Sequence, residues 1–232
     1  MLSMYRLVLF DIDSTLIKTP KAKDDIAFPQ AFKKVYGVEA TIDIINSHGM
    51  TDQQIIIDVL KKKGLDEQTI KSKLDECMKV MVETFKKAID SEKIIVLAGV
   101  EELLEKLDNH NILMGLVTGN LEPIVRGELE KVGLDHYFKV GGFGSDDINR
   151  TNLVKLAIKR AEENFNFKFN DNVFLFGDAP QDMKAGKEAG IKTVGITTGI
   201  YSKERLEDAG ADFILKDLKD ANKVLEIISW QS

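Results

Sequence analysis

Five short runs in the second half of the chain are apolar almost throughout instead of alternating with polar residues: Ile112–Val117, Tyr137–Gly141, Val173–Phe176, Thr193–Ile196 and Asp212–Leu215. Such runs suit strands covered on both faces, as in a parallel sheet. Between and around them lie amphipathic stretches of helical length, at Val100–Asp108, Glu122–Val132, Thr151–Asn164, Asp182–Ala189, Lys203–Ala209 and Ala221–Ile228. This alternation predicts an α/β fold with a doubly wound parallel sheet, to which Leu7–Phe10 contributes the first strand.

Residues 18–96 have a different texture. Phe28, Phe32, Val35 and Tyr36 form a helical stripe closed by Gly37. Thr51 and Gln54 fit a capping box ahead of Ile55–Leu60, and Gly64 follows as a stop. Ile70, Leu74, Cys77, Met78, Met81, Val82 and Phe85 then recur at helical spacing for about five turns, a pattern expected of helix-on-helix core. The reading is an all-helical module, residues 18–96, inserted into a core made of residues 1–17 and 97–232.

The 232 residues carry a net charge of −6 without a basic stripe, which argues against a nucleic-acid partner. Cys77 is the single cysteine, so an internal disulfide and a multi-cysteine metal site are excluded, and a reducing cytoplasm is the expected setting. The apolar opening Met1–Phe10 is interrupted by Arg6 and ended by Asp11 and Asp13, so it is not read as a secretion signal. No stretch reaches the roughly 20 apolar residues of a membrane span. The chain is expected as a monomer or homodimer with no membrane partner.

In open α/β sheets, ligands bind outside the carboxyl ends of the strands. The first strand is followed there by Asp11 and Asp13, the run Ile112–Val117 by Thr118, Gly119 and Asn120, and Val173–Phe176 by "GDAPQD" with Asp178 and Asp182. The run Tyr137–Gly141 leads through "GFGSDDINR" to Arg150 at a helix start, and Thr193–Ile196 to Thr197, Thr198 and Gly199. Crowded carboxylates need a cation or a shared proton. An all-oxygen set without His or Cys suits Mg²⁺, which bridges to phosphate. The Thr118 hydroxyl, backbone N–H groups and Arg150 can hold phosphate oxygens. The constellation points to phosphoryl transfer, with one aspartate as nucleophile and another as acid/base. Other phosphate devices are absent: "KAGKE" lacks the first glycine of a P-loop, and Gly142-Phe143-Gly144 is followed at the third position by Asp147 where a dinucleotide fingerprint has glycine.

"DIDSTL", the threonine after the next core strand, the basic residue opening a helix, and "GDAPQDMKAGKEAGIKTVGITTG" resemble the four motifs of the haloacid dehalogenase superfamily of aspartyl-phosphate hydrolases. The likeness is nearest to its phosphoglycolate-phosphatase-like and β-phosphoglucomutase-like branch, and the helical insert sits where that family carries a cap. Order and rough spacing match across the whole chain. The resemblance implies that Asp11 is the nucleophile and a Mg²⁺ ligand. It implies that Asp13 gives its backbone carbonyl to the metal while its carboxylate protonates the leaving oxygen and then activates water. Thr118, with Gly119 and Asn120, would bind the phosphoryl group, Arg150 would balance charge, and Asp178 and Asp182 would complete or support the metal site.

Three departures from the family pattern stand out. Ser14 occupies the position where glycine is commonest, Arg150 replaces the usual lysine with Lys155 as an alternative bearer, and Ala179-Pro180 replaces a small hydroxyl residue. His48 to Asp52, "HGMTD", is the candidate for substrate contact from the insert, with capping as the competing role of Thr51. His110 and His136 sit at helix–strand junctions and are not read as ligands. The expected activity is a Mg²⁺-dependent phosphatase acting on a small phosphorylated metabolite, phosphoglycolate first. A phosphosugar mutase is the alternative. A 2-haloacid dehalogenase is disfavoured by the presence of Asp13, and a non-catalytic receiver module by chain length and the insert.

Overall fold

The computed structural model describes residues 6–18, 22–169 and 172–229; residues 1–5 of the apolar opening lie outside it. The strands are β1 (Leu7–Phe10), β2 (Ile17–Lys18), β3 (Ile95–Val96), β4 (Leu113–Thr118), β5 (Val140–Phe143), β6 (Val173–Gly177), β7 (Lys192–Ile196) and β8 (Phe213–Leu215). The α-helices of the insert are α1 (Phe28–Ala31), α2 (Asp52–Lys62), α3 (Glu67–Ser72) and α4 (Leu74–Ala88). Those around the sheet are α5 (Val100–Asn109), α6 (Glu122–Lys131), α7 (Arg150–Asn164), α8 (Pro180–Glu188), α9 (Lys203–Asp208) and α10 (Ala221–Ser229).

Six strands form one parallel sheet in the order β5-β4-β1-β6-β7-β8. All four β1 residues are buried because each face of the strand meets a different helix layer. Val8 and Phe10, with Met114, Leu116, Phe174 and Phe176, pack beneath α5 and α10. Leu7 and Leu9, with Val117, Val173 and Leu175, pack beneath α7 and α8. The chain leaves β1 in opposite directions across the sheet, toward β4 on one side and β6 on the other, so the switch point lies at the carboxyl end of β1. Register then does the positioning: Phe10 is level with both Leu116 and Phe176, which brings Asp11, Thr118 and Asp178 to the same edge.

The antiparallel pair β2–β3 flanks the insert, aligning Ile17 with Val96 and Lys18 with Ile95. The Phe28–Tyr36 stripe is helical, with wide π-type turns on both sides of α1, and ends at Gly37 with φ of 70°. The insert core also takes in Leu121 and Ile124 from the first turn of α6, so the seam between insert and sheet is hydrophobic as well as polar. Cys77 is buried in this core, where burial pushes its thiol up to about 12.

Four local expectations need correction. The strand expected at Tyr137–Gly141 lies at Val140–Phe143, and Asp135–Tyr137 forms a 3₁₀ turn. Gly142, just beyond the expected end at Gly141, lies inside the strand, where α7 runs so close that a Cβ on it would collide with the Leu153 carbonyl. The stripe from Ile70 to Phe85 is two helices, broken at Lys73 where ψ opens to 10°. Helix α8 begins at Pro180, two residues before the expected start, with proline in the first turn where its missing N–H costs nothing. Thr51 caps α2 by accepting the Gln54 N–H, but Gln54 turns its amide to Asp58, so only half of the expected capping box forms.

Candidate active site

A cavity of about 390 Å³ opens at the carboxyl end of β1, lined from the core by Asp11, Asp13, Thr118, Gly119, Asn120, Arg150 and Asp178. Asp11 and Asp13 face it together because the residue between them, Ile12, is fully buried in the core on the opposite side. Ser14 then turns with φ of 59°, the left-handed conformation that explains why glycine is common at this position; its carbonyl accepts from the Thr198 hydroxyl.

Arg150 opens α7 and reaches back under β1. Its Nη2 donates to Asp11 Oδ1 at 2.5 Å and lies 2.5 Å from Asp182 Oδ1. The loop that delivers it is clamped by Arg160, whose two terminal nitrogens hold both oxygens of Asp146 at 2.9 Å. Asp182 is fully buried, and its second oxygen accepts the Ala179 N–H at 3.1 Å, so it supports Arg150 and the α8 turn from behind the cavity wall. The alternative cation, Lys155, is exposed and borders a separate surface depression with Asp146, Asp147 and Asn152. Lys155→Ala is therefore expected to leave kcat/KM within about threefold of the parent on any substrate, since exposed substitutions away from a site cost about 0.5 kcal/mol or less.

The electrostatics are strained in one direction. Burial drives Asp11 well above the usual carboxylate range; Arg150 opposes this, while Asp182, Asp178 and Asp13 add to it. Asp178 is pushed up to about 7, by burial first and then by Asp182. Burial raises Asp182 also, against Arg150. Burial disfavours the charge on Arg150, but Asp182 and Asp11 outweigh it and hold the guanidinium firmly protonated. Asp11, Asp178 and Asp182 thus share one guanidinium, with Asp13 beside them. Asp13 Oδ1 is buried with no hydrogen-bond partner among the described residues, and Asp11, Asp178 and Asp182 can each present an oxygen, all within 4.8 Å of one another. This donor set fits a hard divalent cation.

The Thr118 hydroxyl is buried and accepts the Asn120 N–H at 3.2 Å. The Asn120 side chain, which lines the cavity, is engaged within the protein at both ends. Its Nδ2 donates to Asp13 Oδ2 at 2.8 Å, and its Oδ1 accepts from Lys23 Nζ at 2.5 Å. Gly119 is required by close approach: a Cβ there would strike the backbone of Met50.

From the insert, Ser47, His48, Gly49 and Met50 line the cavity, and Gln181 pins their loop by donating to the His48 carbonyl at 2.9 Å. Thr51, besides capping α2, donates to the Ile148 carbonyl. His110 and His136 are exposed and lie outside the cavity lining.

Sequence reasoning missed two buried charged residues beside this wall, Lys23 and Glu128, and it named Asp52 only within the His48–Asp52 candidate for substrate contact. Lys23 pairs with Asp52 at 3.4 Å, and both side chains are almost completely buried. Asp52 accepts the Leu121 N–H at 3.0 Å, and its own N–H donates to the Gly119 carbonyl at 2.8 Å, stitching the insert to the 118–121 loop. Burial disfavours the charge on Lys23, but Asp52 above all, with Asp13, Asp24 and Glu128, keeps it protonated. Glu128 is fully buried with neither oxygen hydrogen-bonded among the described residues, and burial raises it well above its ordinary value. Its place on the apolar stripe of Ile124, Val125 and Leu129 is a signal the sequence did offer.

Comparison with known proteins places this geometry in a class. Residues 8–196 match the family described as haloacid dehalogenase-like hydrolase, and the chain belongs to it: it is a hydrolase of that superfamily. Among curated relatives it is 26% identical to the pyrophosphatase PpaX of Anoxybacillus flavithermus, over 96% of this chain and 97% of that protein. It is 23% identical to the phosphoglycolate phosphatase of Pseudomonas fluorescens, over 92% of this chain and 77% of the relative. Among solved structures, a hydrolase from Pseudomonas syringae superposes with a TM-score of 0.70 at 23% identity, covering 96% of this chain and 99% of that one. No helix among the described residues is long and apolar enough to cross a membrane.

Proposed function

We propose that this chain is a Mg²⁺-dependent phosphatase that hydrolyses a small phosphorylated metabolite through an aspartyl-phosphate at Asp11. The observation that carries this reading is the convergence of Asp11, Asp13, Thr118, Arg150 and Asp178 on one cavity at the switch point of the sheet. The volume of about 390 Å³ suits a small molecule rather than a polymer. Residues 18–96 act as the cap over it, and the cytoplasm is the proposed setting.

Asp11 attacks phosphorus in line with the leaving oxygen, its carboxylate held by Arg150 so that little reorientation is needed. As the bond from phosphorus to the leaving oxygen breaks, Asp13 gives that oxygen its proton. Asp13 then takes a proton from water, whose oxygen attacks phosphorus and releases phosphate, restoring Asp11. Asp11, Asp178 and the Asp13 backbone carbonyl would hold Mg²⁺, which supplies charge neutralisation of the phosphoryl oxygens. Thr118 and the backbone of the 118–120 loop hold the transferring group. The seated insert excludes bulk water and opens for product release.

Phosphoglycolate is the first candidate substrate, and pyrophosphate the second because the PpaX relatives match this chain nearly end to end. A screen of small phosphorylated metabolites with Mg²⁺, including both, tests the reading: release of inorganic phosphate supports it, whereas an isomerised phosphosugar without free phosphate would make the chain a mutase instead.

Metal dependence should also appear in stability. In metal-free protein, Asp178 keeps its proton to about pH 7, whereas the unfolded chain releases it near the ordinary value of 3.8. Between those values the native state binds more protons, so stability falls as pH rises. The melting temperature of chelator-treated protein is therefore expected to drop by several degrees between about pH 5 and about pH 7.5, and Mg²⁺ to restore it mainly at the upper end. Melts that are flat across this range, with and without Mg²⁺, would contradict the assignment.

A further inference from the structure

Resting on the reading of Asp13 as the acid/base, we infer that Lys23, contributed by the insert, is a positioning residue that orients Asp13 through the side-chain amide of Asn120. An asparagine amide has two ends of nearly the same shape but opposite hydrogen-bonding character. An ammonium can only donate. With Lys23 Nζ 2.5 Å from one end of Asn120, that end must be the oxygen, and the NH₂ group must face Asp13 Oδ2 at 2.8 Å. Asp13 is thereby held by one oxygen, and its other oxygen, Oδ1, is buried without a hydrogen-bond partner. The Asp13 side chain lines the cavity, so its contact with Asn120 sets how the carboxylate is turned toward a substrate there.

The orienting cation is itself anchored on both sides of the seam. Asp52 holds Lys23 at 3.4 Å, and the same carboxylate takes the Leu121 N–H of the core. Glu128 lies against this network with neither oxygen hydrogen-bonded among the described residues, and Lys23 opposes the burial that raises it. If the insert lifts, the ammonium leaves, Asn120 loses the partner that fixes its orientation, and its NH₂ group is no longer held toward Asp13. Proton delivery to the leaving group is thus tied to insert seating. Phosphoryl attack by Asp11 is not, because Arg150 belongs to the core.

The bland alternative is that Lys23 only neutralises a buried seam, in which case its loss weakens every substrate alike. Two probes separate the cases. p-Nitrophenyl phosphate departs as a stabilised phenolate and needs little help from an acid, whereas glycerol 2-phosphate departs as an alkoxide unless protonated. In Lys23→Gln, kcat/KM for glycerol 2-phosphate is expected to fall roughly 10–100-fold further than for p-nitrophenyl phosphate, as general-acid loss predicts. Lys23→Arg, which keeps a buried donor, should recover both to within about threefold. Because Lys23→Gln strands a buried carboxylate, the double variant Lys23→Gln/Asp52→Asn is measured beside it and should show the same skew. Asp13→Asn supplies the control. No leaving-group skew in that variant overturns the acid/base reading itself. A skew in Asp13→Asn with equal losses on both probes in the Lys23 variants overturns the role of Lys23 alone.

Discussion

Asp11→Asn is expected to yield a folded protein that turns over no substrate, with kcat reduced by roughly 10⁴-fold or more, the scale at which removal of a covalent nucleophile acts. The amide nearly preserves the shape of the carboxylate and can still accept from Arg150 Nη2, so the geometry around Asp182 survives. It is not a nucleophile toward phosphorus. The substitution also removes a carboxylate that burial first, and then Asp182, Asp178 and Asp13, hold well above its ordinary range in the metal-free protein. Metal-free Asp11→Asn should therefore melt at the same temperature as the parent or higher, activity having been traded against stability. Steady-state assays and thermal melts on the same preparations check both halves. Retained turnover would rule out the covalent route, and a large loss of stability would mean that Asp11 is chiefly a structural partner of Arg150.

The second large effect falls on Arg150. One buried nitrogen lies 2.5 Å from an oxygen of Asp11 and 2.5 Å from an oxygen of Asp182, so Arg150→Met leaves two buried carboxylates facing each other without a counter-charge. Breaking a buried pair in this way costs roughly 3–5 kcal/mol. The loss should be smaller at low pH, where both carboxyls are protonated, and grow as pH rises, because their proton affinity is then raised further above that of the unfolded chain. Activity should fall by at least about 10³-fold at neutral pH, since a protonated Asp11 cannot attack. Arg150→Lys is expected to retain the fold and part of the activity: a single ammonium can bridge two oxygens that one Nη2 now bridges, although its stem is shorter. Denaturant titrations across pH, paired with kcat/KM, separate the contributions. Equal stability of Arg150→Met and the parent would remove Arg150 from the charge balance of the site.

What was legible in the sequence follows from where its information is local. Asp11, Thr118 and Asp178 could be placed because each follows an apolar run, and parallel register carries strand ends to one edge without any knowledge of side-chain packing. Arg150 was legible as the first residue of a helix, but its engagement with Asp182 depends on how α7 and α8 pack, which no local pattern reports. The strand at Val140–Phe143 reaches past its expected end at Gly141 because Gly142 lets α7 approach the sheet, a contact no local pattern reports. Lys73 interrupts a hydrophobic stripe whose spacing continues across the break, so periodicity alone could not divide α3 from α4. The pairing of Lys23 with Asp52 escaped notice for a different reason. In a sequence they are ordinary first-turn charges of helical segments, and they become a buried pair only through the docking of the insert on the 118–121 loop. Glu128, midway along an apolar helix face, was the residue that could have signalled a polar seam there.

The most direct test is to quench the enzyme during turnover of a substrate that supports phosphate release, reduce it with borohydride, and map the modified residue by peptide sequencing. Borohydride converts an aspartyl phosphate to homoserine, so homoserine at position 11, dependent on substrate and on Mg²⁺, is the expected result. An unmodified Asp11 under conditions of active turnover, or modification at Asp13 or Asp178 in its place, would contradict it.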